Sequence, residues 1–202
     1  MSAFKELVDL FGVCDFRFPL DLVDKYKGNE LLLVGGAYNV WEEAKGIPEY
    51  DHVMCVNDIG MYWPGRVRHW YSNDCEQLMA WKIGRRRKYT QIWGADYQLH
   101  SCFDKGYERI RHWPFPGNGS SGLVSMYVAL SLGYCPVRVI GIPFDDGGHF
   151  FGPSSSHNLN KNQKWSDFTN ETSDDNLQKI KKVFKNRIFP TSGRLKRVLQ
   201  GG

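Results

Sequence analysis

The chain has 202 residues, 42% of them apolar and 14% aromatic, with a formal charge of +4. That length and composition suit a globular protein with one well-buried domain as the default. No stretch approaches the roughly 20 apolar residues of a membrane span, and no basic start leads into an apolar run, so a cytoplasmic protein is expected.

The five cysteines, Cys14, Cys55, Cys75, Cys102 and Cys135, are odd in number and form no C-x-x-C pair, as expected of reduced intracellular thiols. The basic residues are unevenly spread. Arg85, Arg86, Arg87 and Lys88 form one run, and Lys179, Lys181, Lys182, Lys185, Arg187, Arg194, Lys196 and Arg197 crowd the C-terminal segment. That distribution allows an anionic partner such as nucleic acid or a nucleotide, although a solvated helix face is the commoner explanation of such runs.

In chain order, Phe4, Leu7, Val8 and Phe11 share one helical face over residues 3–12, and Asp21 to Lys27 reads as a second short helix closed by Gly28. Both are expected on the sheet edge. Leu31 to Val34 is a wholly apolar strand that runs into Gly35-Gly36-Ala37-Tyr38-Asn39 and a helix over about Val40 to Lys45. A buried strand, glycines and a helix open a nucleotide-binding α/β unit, but the spacing is not that of a dinucleotide fingerprint. Asp51 to Asn57 is the second strand and His69 to Ser72 the third, with Asn73-Asp74 capping a helix through Lys82. Tyr89 to Trp93 and Arg109 to Trp113 are two further strand candidates, joined by an irregular segment from Gly94 to Gly106.

No charged side chain occurs from Gly117 to Gly133, and Leu123, Val124, Tyr127, Val128 and Leu130 recur at helical spacing. The pattern predicts a helix buried on most of its circumference, entered through a glycine-serine turn and closed by Gly133. Gly117, Gly119 and Gly122 allow close approach of a ligand, or simply close helix–sheet packing, and Ser120 or Ser121 can cap the helix. Val137 to Ile142 then reads as an inner parallel strand. Roughly 30 residues without regular pattern follow, a length typical of a functional lid or a disordered excursion. Ser173 to Asn176 caps a final helix with Leu177, Ile180, Val183 and Phe184 inward, and Ile188-Phe189 is an edge strand. The expected architecture is α/β: a single Rossmann-like domain over residues 1–202, a mostly parallel sheet with helices on both faces. Its core spans about 30–142, its lid about 143–172, and a C-terminal helix and tail 173–202.

In such a sheet the ligand lies beyond the carboxyl ends of the strands, so Gly35, Gly36, Asn39, Asn57, Asp58, Asn118, Gly119, Ser120, Ser121 and Gly122 are the candidate nucleotide-binding residues. Asparagines and serines offer hydrogen bonds to base and ribose, and glycines expose backbone N–H to phosphate. His149 and His157, beside Asp145 or Asp146, are candidate proton-transfer groups, with His149 preferred as general base. Asp145, Asp146 and His149 also admit a divalent ion, without a defined ligand spacing. His52, His69, His100 and His112 are expected in packing or solvent-facing roles.

The motif order Leu31-Leu-Leu-Val-Gly-Gly-Ala-Tyr-Asn39, Tyr50 to Asn57, Gly119-Ser-Ser-Gly122, Ala129 to Tyr134 and Val139 to Asp145 resembles bacterial CMP-sialic-acid-dependent sialyltransferases. It is also similar to the hydroxymethylpterin pyrophosphokinase-like group and to small phage-encoded proteins of this layout, whose Ser-Gly ending compares with Ser192-Gly193. The resemblance covers about residues 30–150. It implies phosphates near Gly35, Gly36 and Asn39, base or ribose at Asn57, ribose or cytidine at Ser120 to Gly122, and His149 as catalytic base. The first loop here reads Gly-Gly-Ala-Tyr-Asn where that family has Gly-Asn-Gly-Pro-Ser, and Pro143 stands where it has an aspartate.

The expected function is a glycosyltransferase that uses a CMP-, UDP- or GDP-linked sugar, with DNA bases held through Arg85, Arg86, Arg87 and Lys88 as one possible acceptor. The alternatives are a non-catalytic nucleotide- or nucleic-acid-binding protein and a nucleotide pyrophosphokinase or phosphohydrolase, the latter using Asp58, Asp74, Asp145 and Asp146.

Overall fold

The computed structural model describes residues 2–13, 18–88, 97–116, 120–145 and 174–201. Strands β1 (Leu31–Val34), β2 (His52–Val56), β3 (His69–Tyr71), β4 (Gln98–Ser101), β5 (Ile110–His112), β6 (Val137–Ile140) and β7 (Ile188–Pro190) form one sheet. Its order is β5-β4-β3-β2-β1-β6-β7, and every pair is parallel. Parallel neighbours need crossovers, and the crossovers put helices on both faces. These are α1 (Ala3–Phe11), α2 (Val40–Glu43), α3 (Ile59–Tyr62), α4 (Cys75–Lys88), α5 (Ser121–Ser131), α6 (Asp174–Phe184) and α7 (Gly193–Gln200). The result is a single Rossmann-like α/β domain.

The pleat sorts the strand side chains into two cores. Leu31, Leu33, Met54, Val56 and Tyr71 pack under α1, α5, α6 and α7, through Leu7, Val128, Phe184 and Leu195 among others. Leu32, Val34, Cys55 and Trp70 meet Val40 of α2, Ile59 of α3, and Leu78 and Trp81 of α4. Helix α5 is buried all round from Gly122 to Ser131. Its serines return their hydroxyls to the helix backbone, Ser125 to Gly122 O at 2.7 Å and Ser131 to Tyr127 O at 2.8 Å, so these buried hydroxyls are satisfied within the helix.

Several elements differ from the expectation. Helix α1 lies across α5 and α6 on a sheet face rather than at the edge, fastened by a two-pronged ion pair from Arg187 to Glu6 at 2.8 and 2.9 Å. Residues 21–27 form no helix: a single turn at Leu20–Leu22 gives way to chain tied to the end of α5, Asp24 N–H donating to Ser131 O and Tyr26 N–H to Leu132 O. Helix α4 continues past Lys82 to Lys88. β4 lies inside the segment expected to be irregular, while the expected strand at Tyr89 to Trp93 falls outside the described residues, as does the expected lid of about 143–172 from residue 146 onward. Helix α7 is an addition to the expected elements; Leu195 and Leu199 are its buried side.

β4 escapes the apolar pattern because it contributes to a buried polar row. Trp113 Nε1–H donates to His100 Nδ1 at 3.0 Å, and His100 Nε2 faces His69 Nδ1 at 3.0 Å. His69 Nε2 lies 2.7 Å from Tyr134 Oη, which lies 2.7 Å from His52 Nδ1. An indole can only donate, so the proton of His100 is on Nε2, that of His69 on Nε2, and the Tyr134 hydroxyl donates to His52. The row closes only with neutral imidazoles.

Burial, reinforced by Arg111, pushes the His100 imidazole down to about 3. Burial first, then His100, His52, Arg68 and Lys25, holds His69 well below the usual range. An imidazole with a lowered folded pKa favours the folded state above its unfolded value, and that advantage is lost as pH falls, because the unfolded chain takes up the proton first. Urea unfolding should therefore show stability declining below pH about 6.5, by roughly 1.4 kcal/mol per pH unit for each histidine kept neutral. A flat profile between pH 7 and 5 would contradict the tautomer chain.

Candidate functional site

From β1 the chain builds outward through β2, β3, β4 and β5, then returns to place β6 on the other side of β1. The strand order reverses between β1 and β6, so the loops leaving these two strands part toward opposite faces and open a crevice at their carboxyl ends. The backbones stay in contact just beyond the strands: Gly35 N–H donates to Ile140 O at 2.9 Å and Ala37 N–H to Gly141 O at 3.0 Å. A Cβ on Gly35 would overlap Ile142, and one on Gly141 would overlap the Gly35 carbonyl. Gly141 also has φ +62°, a conformation that strains L side chains.

The crevice is lined by Gly35, Gly36, Asn57, Gly122, Gly141 and the segment Ile142–Asp145, and its enclosed interior is only ≈ 40 Å³. A ligand of nucleotide size must lie across this opening rather than inside it.

Asn57, with φ 56°, has a fixed amide orientation. Asp74 N–H donates to Ser72 Oγ at 3.0 Å, so the Ser72 hydroxyl spends its own proton on Asn57 Oδ1 at 2.9 Å. Trp70 Nε1–H holds the Asn57 carbonyl at 2.6 Å. The Asn57 amino group finds no partner among the described residues, and it is the donor this side chain offers the crevice.

Asn39 is turned to another purpose. Its Nδ2 donates to Glu43 Oε1 at 2.8 Å and Ser192 Oγ at 3.2 Å, while Glu43 Oε2 accepts Gly141 N–H at 2.6 Å. One carboxylate thus braces both glycine turns. Glu43 is missing from the sequence candidates; the i,i+4 spacing from Asn39 on a short helix is the signal that points to it.

The serines divide their work. Ser120 is buried and caps α5, accepting Leu123 N–H at 3.2 Å, and so is a structural cap. Ser121 Oγ accepts Asn73 N–H at 3.2 Å and ties the end of β3 to α5, while Gly122 lets α5 pack against Ile142. Asp58 is buried at the head of α3 rather than lining the crevice; its charge, after burial, helps push up the Tyr62 hydroxyl. Asp74 caps α4 through Gln77 N–H at 3.1 Å. Asp145 lies at the crevice mouth. Asn118, Gly119, Asp146, His149 and His157 lie outside the described residues.

The basic run does not act as a unit. Arg85 is 4% exposed and donates to Gly60 O, Trp63 O and Gly65 O at 2.6 to 2.8 Å, bracing the chain after α3. It is therefore withdrawn from any DNA contact. Arg86, Arg87 and Lys88 are exposed, with Lys88 Nζ 4.8 Å above the Tyr62 ring.

A larger cavity of ≈ 570 Å³ opens at the opposite, amino-terminal edge, between Trp63, Arg66, Arg68, Glu49, Asp51 and His52. Volume alone favours it, but two arginines and two carboxylates share its lining, and it sits at the wrong end of a parallel sheet for the ligand of such a fold. Among the described residues no group of three or more His, Cys, Asp or Glu is arranged to hold a metal ion, and no helix is long and apolar enough to cross a membrane.

If Glu43 holds the crevice together, Glu43→Ala should destabilise the protein by about 1–3 kcal/mol, since it strands the Gly141 N–H and releases Asn39. Glu42→Ala, which removes only the exposed ion pair with Lys45, should change stability by less than about 1 kcal/mol. Equal effects in urea unfolding would refute the brace. No family model matches the chain, and neither a curated protein nor a solved structure matches it.

Proposed function

We propose that the chain binds a nucleotide across the crevice between β1 and β6 and transfers the group that the nucleotide activates, a glycosyl group from a CMP-, UDP- or GDP-linked sugar. The observation that carries the nucleotide reading is the reversal of strand order at the Gly35–Gly141 contact, with the Asn57 donor on the same rim. The sugar comes from the likeness of the motif order to the sialyltransferases.

The Asn57 amino group reads a hydrogen-bond acceptor on the base or ribose. The phosphates belong toward the start of α5, where N–H groups and the positive dipole end meet at Gly122, because the Glu43 carboxylate behind the β1 loop repels an anion there. An acceptor hydroxyl then attacks the anomeric carbon as the bond to the leaving phosphate breaks. Its proton passes to a base, for which Asp145 at the crevice mouth and, later in the sequence, His149 or His157 are the candidates.

A thermal-shift screen against nucleotides and nucleotide sugars tests this reading. A ligand at about 100 times its Kd adds about 2.7 kcal/mol and should raise Tm measurably. Asn57→Asp, which keeps the acceptor for Ser72 but replaces the amino group with a carboxylate oxygen, should weaken the effective ligand about tenfold or more, with little change in the unliganded Tm. No shift with any nucleotide would refute the proposal, and binding without turnover of any acceptor would reduce it to a nucleotide-binding module.

A further inference from the structure

The charge of the chain is not distributed like its mass. From Leu177 to Gly202 there are eight lysines and arginines and no aspartate or glutamate; since the whole chain has 26 basic and 22 acidic residues, everything before Leu177 is net negative by four. That segment of +8 folds as the rest of α6 beyond its opening Asp174 and Asp175, then β7 and α7, so the stretch from the start of α6 to the end of α7 carries +6. Arg187 is spent on Glu6. Lys182 and Lys185, in and just after α6, and Lys196 and Arg197 on α7 are exposed and make no salt bridge among the described residues.

The two helices pack against one another, and their apolar sides are committed to the core through Leu177, Ile180, Val183, Phe184, Leu195 and Leu199. Their outer sides are therefore cationic and, among the described residues, leave no large apolar group exposed.

We infer that the outer surface of α6 and α7 docks a nucleic-acid strand through its phosphates. An amphipathic membrane anchor needs exposed apolar side chains to enter the lipid, and the described residues of these helices have none to offer. Uncompensated exposed cations on a chain otherwise acidic are what a polyphosphate recognises. The surface also leads to the crevice. Leu195 N–H donates to Pro143 O at 3.2 Å, Gly193 packs flush on Pro143, and Ser192 holds Asn39. A strand lying on α7 passes the crevice mouth, where the proposed transfer would meet it. The docking itself stands on charge and is independent of the nucleotide reading.

The test is fluorescence anisotropy of a labelled mixed-sequence single DNA strand, titrated between about 50 and 200 mM salt. A variant carrying Lys182→Gln, Lys185→Gln, Lys196→Gln and Arg197→Gln should bind at least about tenfold more weakly, with a log–log salt slope shallower by roughly 0.7 for each phosphate that is no longer neutralised. A control variant carrying Arg86→Gln, Arg87→Gln and Lys88→Gln should bind as the native chain does. If the fourfold variant lacks a thermal transition, the four single exchanges are measured instead, each shallower by about 0.7.

Native-like binding by the fourfold variant, weakening confined to the α4 variant, no binding by the native chain at low salt, or binding to phosphatidylserine vesicles in place of DNA would each overturn the inference. The nucleotide thermal shift should survive the fourfold exchange. Its absence from the native chain while DNA binding behaves as described would remove the nucleotide reading and leave this one standing.

Discussion

Two strands of this sheet remain in backbone contact after their ladder ends, and the rest of the molecule is arranged around that contact. Gly35 and Gly141 approach so closely that neither can carry a Cβ. The contact lies where the strand order reverses, so the same pair of glycines that closes the sheet also forms the floor of its crevice. Bare backbone at that point cannot position itself by side-chain packing. The positioning comes from Glu43, which takes Gly141 N–H on one oxygen and Asn39 on the other, and Asn39 extends the brace to Ser192 at the start of α7. A negative charge used in this way has a chemical consequence: it repels phosphate from the β1 loop and leaves the start of α5 as the better anion position.

A second constraint crosses the strands obliquely, from His52 at the amino end of β2 to His100, which pairs with Tyr71 at the carboxyl end of β3. The row from Trp113 through His100, His69 and Tyr134 to His52 spans the sheet beneath one helical layer, with both ring nitrogens of His100 and of His69 used. Such a row fixes how β2, β3 and β4 sit relative to one another, because shifting a strand by one residue would send its histidine to the other face. Fully satisfied polar groups in a core specify one arrangement at the cost of tolerance to protonation. The carboxyl rim is thus carried on a sheet held by neutral imidazoles.

Much of this is legible in the residues, and the exceptions have physical causes. Helix α5 announces itself because a long run without charge has to be buried, and the Ser120 cap and Gly133 closure follow from ordinary helix-end chemistry. β4 is hidden because Gln98 and His100 look like breaks in an apolar strand, and only their partners reveal that His100 is core. Arg85 stands in a run of charged neighbours, although it follows Leu78 and Trp81 at helical spacing and so falls on the buried side of α4. Helix α7 carries three cations in eight residues, which mask Leu195 and Leu199. At the site, the glycines and Asn57 are readable from their place after strands, whereas the diversion of Asn39 and Ser120 into bracing and capping depends on tertiary neighbours that no local pattern contains.

The most direct measurement is amide hydrogen exchange of the protein with and without the nucleotide that stabilises it best. The account predicts slowed exchange at residues 35–37, 56–58 and 141–145 and in the first turn of α5, the segments that meet at the crevice. Protection confined instead to residues 47–53 and 63–68, around the ≈ 570 Å³ cavity at the amino edge, would place the ligand at the wrong end of the sheet and contradict it.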